Sequence, residues 1–125
     1  MSKLPDRQVA DFIRSTCRSV WTLELLCYLR KHRERAHSRE ELIAGLRASE
    51  LVVSRGLQAL SDTGLVVSQA DDLVRYSPAG ENLDELSTAA EAMYARNADA
   101  VRRMIVAEAN PGISAFANAF KFRSE

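Results

Sequence analysis

The sequence predicts a mainly helical protein that folds as one domain, residues 1–125, and carries one small β-hairpin. Three observations lead there. Apolar residues recur at helical spacing through most of the chain, as in Val9, Phe12 and Ile13. Between Gly64 and Pro78 that period gives way to two short runs, Leu65-Val66-Val67-Ser68 and Leu73-Val74-Arg75-Tyr76-Ser77, rich in β-branched and aromatic residues. Finally, 125 residues with 46% hydrophobic content suit one globular core and leave little room for a second.

Taken in order, Pro5 and Asp6 open a first helix with Val9, Phe12 and Ile13 on its apolar face. A second helix is expected over residues 16–31, separate from the first or continuous with it. Its apolar content is Val20, Trp21, Leu25, Leu26, Tyr28 and Leu29. Ser38-Arg39-Glu40-Glu41 has the form of a capping box: the hydroxyl takes a free amide and the glutamate reaches back. It opens a short helix through Leu42, Ile43 and Leu46. Ser49 caps a further helix to about residue 63, and Gly64 supplies its stop. The two β-type runs flank Gln69-Ala70-Asp71-Asp72, which makes a hairpin that Pro78 ends. Residues 79–107 have no internal proline and read as one long helix, ended by Asn110-Pro111-Gly112. In the tail, residues 110–125, Ile113, Phe116, Ala117 and Phe120 share an amphipathic face.

Three helices followed by a two-stranded hairpin is the order of a winged helix-turn-helix domain, here with a core at residues 16–78, an N-terminal helix and a long C-terminal helix. The stretch Val53-Ser54-Arg55-Gly56-Leu57-Gln58-Ala59-Leu60-Ser61-Asp62-Thr63-Gly64-Leu65-Val66 resembles the recognition-helix segment of winged-helix regulators of the MarR and ArsR kind. Their pattern is roughly V-S-R-x-L-x-x-L-x-x-x-G-L-V, and it leads into the wing. The resemblance covers about half of the chain. It implies a bacterial, cytoplasmic transcriptional regulator that binds double-stranded DNA as a homodimer. It also implies a small-molecule effector between the winged helix and the dimer helices, where Trp21, Tyr28, Tyr94 and Phe116 are candidate lining residues. Plain core packing is the alternative for these aromatics.

The residues support a reading helix independently. At ~100° per residue, Val53, Leu57 and Leu60 share one face. Leu51, Ser54, Arg55, Gln58 and Asp62 fall on the other. A core helix needs only the first. The second offers a guanidinium, an amide and a hydroxyl, groups that read base edges in a major groove, and Leu51 could touch a thymine methyl. Base readout is therefore expected from Leu51, Ser54, Arg55 and Gln58.

The chain has no net charge, with 17 Lys+Arg and 17 Asp+Glu, so the distribution matters more than the sum. Basic residues concentrate in Arg30-Lys31-His32-Arg33-Glu34-Arg35, followed by Arg39 and Arg47. This strip suits phosphate contacts, or a solvated helix end whose cations oppose the C-terminal dipole. Phosphate contacts are expected from Arg33, Arg35, Ser38, Arg39, Arg47, Ser49 and Arg75. Asp71 and Asp72 at the wing tip, with Glu50 and Asp62 on the reading helix, work against such contacts. They favour the alternative of a protein-binding adaptor on the same fold.

Other chemistries find little support. The sequence has no glycine-rich phosphate loop, nucleophile elbow or paired-carboxylate site, so no enzyme, cofactor or metal site is expected. Cys17 and Cys27 fall ten residues apart on one expected helix, too far to bridge, and read as core. His32 and His37 read as surface residues. No apolar stretch approaches the ~18–20 residues of a membrane helix, and no secretory leader is evident, so a cytoplasmic location is expected.

The long helix carries Leu83, Leu86, Ala90, Met93, Asn97, Ala100 and Met104 at spacings of three and four, a heptad seam with Asn97 at an a position. Such a helix, ~43 Å long, is expected to build a dimer interface. Packing against the first helix and the tail is the competing use of the same face.

Overall fold

The computed structural model describes residues 4–109. Helix α1, Asp6–Thr16, starts directly after Pro5 and turns Val9, Phe12, Ile13 and Thr16 inward. It ends at Cys17, whose N–H donates to the Ile13 carbonyl at 2.8 Å. Helix α2, Val20–Lys31, begins afresh because the Ser19 hydroxyl accepts the Thr22 N–H at 3.3 Å. The second helix thus starts four residues later than expected and is separate from the first. Cys17 lies at the end of α1, so the helical spacing expected between the two cysteines does not apply. Burial pushes both thiols up to about 12; the Cys27 charge adds to the effect on Cys17, and Glu91 and Glu24 add to that on Cys27.

Helix α3, Arg39–Leu46, opens on the expected capping box: Glu41 N–H donates to Ser38 Oγ, and Ser38 N–H to Glu41 Oε1, each at 3.1 Å. Helix α4, Glu50–Thr63, is capped by Ser49 and stops at Gly64, whose φ of 85° lies in the left-handed region that glycine adopts without steric cost. Helices α2 and α4 pack most extensively. Gly56 permits this approach, since a Cβ there would lie 2.9 Å from Leu25 Cδ2. Leu23, Leu25, Leu26, Leu29, Val53 and Leu60 are almost wholly buried between and around them.

Strands β1, Val66–Ser68, and β2, Val74–Tyr76, pair antiparallel with Val66 opposite Tyr76 and Ser68 opposite Val74. A single 3-10 turn, Ala70–Asp72, joins them, with Asp71 and Asp72 at φ 63° and 58°. Aspartate tolerates this left-handed backbone better than most residues. The left-handed turn thus suits the two aspartates at the hairpin tip. The hairpin is tied to the helices by a bridge in which His37 N–H donates to the Val74 carbonyl at 2.7 Å and Val74 N–H to the His37 carbonyl at 2.8 Å.

The long helix expected over residues 79–107 is two helices, α5, Glu81–Arg96, and α6, Ala98–Ala109. Asn97 interrupts them at φ −149°, ψ 59°. Its N–H closes α5 on the Met93 carbonyl at 2.9 Å, and its carbonyl accepts the first bond of α6, from Val101 N–H at 3.2 Å. Asparagine favours such a boundary, and Asp99 in the first turn of α6 opposes the positive end of its dipole. Both α5 and α6 pack on α1. The amphipathic tail expected at residues 110–125 lies outside the described residues.

A buried polar cluster joins α2, β2 and α5. The Arg30 side chain donates to Glu91 Oε1 at 2.5 Å, Thr88 Oγ1 at 2.7 Å and the Tyr76 hydroxyl at 3.4 Å. Its guanidinium also lies over the Tyr76 ring, 5.5 Å from the centroid, and the Tyr76 hydroxyl donates to Asp84 Oδ1 at 2.7 Å. Arg30 is therefore an internal residue, and the basic strip loses its first member. The result is a mainly α-helical chain with a small two-stranded antiparallel hairpin, and no described helix is long and apolar enough to cross a membrane.

Candidate nucleic-acid interface

Helix α4 buries Val53, Gly56, Leu57 and Leu60 and turns Leu51, Arg55, Gln58 and Asp62 to solvent. Leu51 is 59% exposed, much more than a single core-supporting leucine needs to be. Ser54 is half-buried because Arg39, from the first turn of α3, donates a hydrogen bond to its hydroxyl. Gln58 Nε2 donates to Asp62 Oδ1 at 2.8 Å along the exposed face. Of the four residues expected to read bases, the Leu51 and Arg55 side chains have no hydrogen bond among the described residues, while Ser54 and Gln58 would exchange a partner first.

The residues expected at phosphates divide in the same way. Arg33 and Arg47 are exposed. Arg35 is exposed but paired with Glu41 at 2.8 Å. That contact, with the Ser38 N–H, lowers the Glu41 carboxyl to about 2. Arg75 donates to the carbonyls of Arg33 and Glu34 at 3.2 and 3.3 Å, so it fastens the hairpin to the loop after α2. Ser38 and Ser49 spend their hydroxyls on the first amides of α3 and α4.

Arg47 stands out by its backbone. It ends α3 with φ 55° and ψ 42°, in the turn that leads to α4. A residue with a Cβ pays roughly 1–2 kcal/mol for that conformation, and glycine would adopt it freely. A cation is thus held beside the N-terminal end of α4 at a conformational cost.

The histidines differ from their expected surface placement. His37 is fully buried, at 1% exposure, and His32 is half-buried. The bridge to Val74 ties residue 37 to the hairpin, a long-range constraint with no sign in the local sequence.

The expected dimer seam is divided by the break at Asn97. Leu86 and Ala90 are buried within the chain itself, and Leu83 packs against that core. Asn97 occupies the boundary between helices, so it does not sit at an a position of a continuous coil. Met93 and Met104, half-buried, pack against the same core, and with Ala100 they line a cavity of about 170 Å³ between α5, α6 and the start of α1. The aromatics considered for an effector do not converge. Tyr28 lines a cleft of about 620 Å³ with Glu24, Cys27, Leu46 and Glu91, which neither Trp21 nor Tyr94 joins. Trp21 is exposed, Tyr94 donates to Glu24, and Phe116 lies outside the described residues.

Sequence reasoning missed the Arg30 cluster. An arginine inside an apolar helix, with Thr88 and Glu91 three apart on a later one, was its only local signal. No family model, curated protein or solved structure matches the chain.

Proposed function

We propose that this chain is a winged helix-turn-helix DNA-binding regulator of transcription, similar to those of the MarR and ArsR kind. In this reading α3 and α4 form the helix-turn-helix, α4 enters a major groove, and the β1–β2 hairpin is the wing. The observation that carries it is the outward face of α4. Leu51, Arg55 and Gln58 stand free of the core there, with Arg47 held at the entrance of the helix against its backbone preference. Leu51 and Arg55 contact base edges. Arg33 and Arg47 contact phosphates, and Arg35 and Arg39 join them by exchanging their present partners. A homodimer, assembled through the half-buried side chains of α5 and α6, reads a palindrome whose half-sites lie about one turn apart. The cytoplasm is the compartment that fits this role.

Selection of bound sequences from a random duplex pool, with binding repeated at two salt concentrations, tests the proposal. Enrichment of a palindrome, with affinity that falls as salt rises, supports it. A pool that stays random after selection overturns it. A second reading, a protein-binding adaptor on the same fold, draws on the exposed Asp71 and Asp72 at the wing tip, which repel phosphates. It predicts no enrichment and no change when both are replaced by Asn in a DNA-binding assay.

A further inference from the structure

We propose that His37 is a proton-operated clasp between the hairpin and the α3–α4 pair. Three elements meet at this residue: β2, the end of α2 and the start of α3. Its main chain holds β2 through both bonds to Val74. Its ring Nε2 lies 2.9 Å from the His32 carbonyl, just past the end of α2. A carbonyl oxygen only accepts, so Nε2 carries the hydrogen and the neutral ring presents a lone pair at Nδ1. That Nδ1 is buried and has no hydrogen-bond partner among the described residues. The Glu41 carboxylate of α3 stands within reach of it, with Oε2 at 3.9 Å.

A buried acceptor without a donor is a standing cost. Protonation of the ring removes it. Nδ1 becomes an N–H, and a closure of about 1 Å brings it into a charge-assisted hydrogen bond with Glu41. The acceptor is ready, because Arg35 and the Ser38 N–H keep Glu41 ionised far into the acid range. The other groups around the ring are few. Tyr28 and His32 face it from α2 and its end, each with ring centroids 6.0 Å away. From the hairpin, Val74 is apolar, and Arg75 is turned to the Arg33 and Glu34 carbonyls. A charge on His32, and Arg35 bonded to the same Glu41 oxygen, oppose the clasp, while Glu41 is the group of opposite sign within 4 Å of Nδ1. The proton tightens the seam that fixes the wing relative to α4.

Amide-exchange protection of Val74 and His37, corrected for intrinsic rates, reads the clasp directly. Imidazole nitrogen shifts report the ring. Between about pH 8 and about pH 5, where a histidine changes charge, protection of both amides is expected to rise about tenfold, as one charge-assisted bond warrants. In Glu41→Gln, which keeps the capping box, the rise is absent. Protection that stays flat or falls in the wild type overturns the proposal. So does an equal rise in Glu41→Gln, or a ring still neutral at the acid end. The consequence for DNA rests on the proposed function: affinity for a selected palindrome rises on acidification in the wild type and less in Glu41→Gln. Rising protection in a protein that enriches no sequence leaves the clasp standing and overturns only the regulatory reading.

Discussion

Arg30 on α2 and Glu91 on α5 lie 61 positions apart in sequence and meet at 2.5 Å. Arg30 is nearly inaccessible, whereas the Glu91 side chain keeps 40% of its exposure. The two partners are therefore unequal. Removing the arginine leaves Glu91, Thr88 and Tyr76 without their donor and opens a void. Removing the carboxylate leaves a guanidinium that still has Thr88, Tyr76 and adjacent water. Arg30→Ala is expected to cost about 3 kcal/mol and Glu91→Gln about 1 kcal/mol in urea unfolding. Equal losses would mean that the pair, and not the surrounding cluster, carries the stability.

Arg55 is the test of base reading. It is the cation of α4 and its side chain faces solvent. Arg55→Ala should weaken binding to a selected duplex by about 1–3 kcal/mol and relax preference at one base pair. Fold stability should stay unchanged. Unaltered affinity and preference would remove Arg55 from the interface.

For Arg47 the backbone suggests a cleaner variant than alanine. Arg47→Gly removes the charge while relieving the left-handed conformation, so thermal stability should hold or rise. Affinity should fall alike for all sequences, with the salt slope smaller by about one. Arg33→Ala should behave the same way toward DNA. A shift in sequence preference with an intact slope would contradict a phosphate role for either.

The carboxyl of Glu41 offers a pH signature. Its side-chain contact with Arg35, then the Ser38 N–H, lowers it from 4.5 to about 2. A depressed acid stabilises the fold fully above its unfolded value and loses that contribution as pH falls toward the folded one. The loss from this group therefore belongs between about pH 4.5 and about pH 2. Carboxyl carbon shifts should find Glu41 titrating near the low end in the wild type and higher in Arg35→Ala. Identical titrations would discount the Arg35 contact.

Dimerisation now separates two kinds of apolar residue that the heptad spacing grouped together. Leu86→Asp puts a charge into the core of one chain and should abolish the fold. Met104→Asp, at a half-buried side chain on the edge of the core, should cost less stability than Leu86→Asp while converting the proposed dimer to a monomer. Sedimentation velocity with circular dichroism measures both. A wild-type monomer at micromolar concentration would exclude the homodimer.

Elements with local chemistry were legible in the sequence. The Ser38 box, the Ser49 cap and the Gly64 stop each announce themselves within four residues, and α3, α4 and the hairpin sit where those signals put them. The division of α4 into buried and exposed faces followed from helical period alone. The break at Asn97 was hidden because an unbroken three-four spacing masked a capping asparagine, and a cap signal ranks below periodicity until packing decides. The burial of His37, the internal place of Arg30 and the diversion of Arg75 onto carbonyls depend on partners 37 to 61 positions away. No local pattern encodes such partners. Within the candidate interface, residue types and the helix face were readable. Which side chains were already engaged was not.

The end of α4 and the start of α5 share main-chain bonds: Ala79 N–H donates to the Gly64 carbonyl at 2.8 Å, and Ser77 N–H to the Leu65 carbonyl at 2.9 Å. These bonds close a corner made by the main chain, with Gly64 supplying the left-handed turn it needs. The chain therefore enters and leaves the hairpin through a neck pinned by backbone bonds, which fixes the spacing of Gly64 and Ala79 independently of the hairpin's own turn.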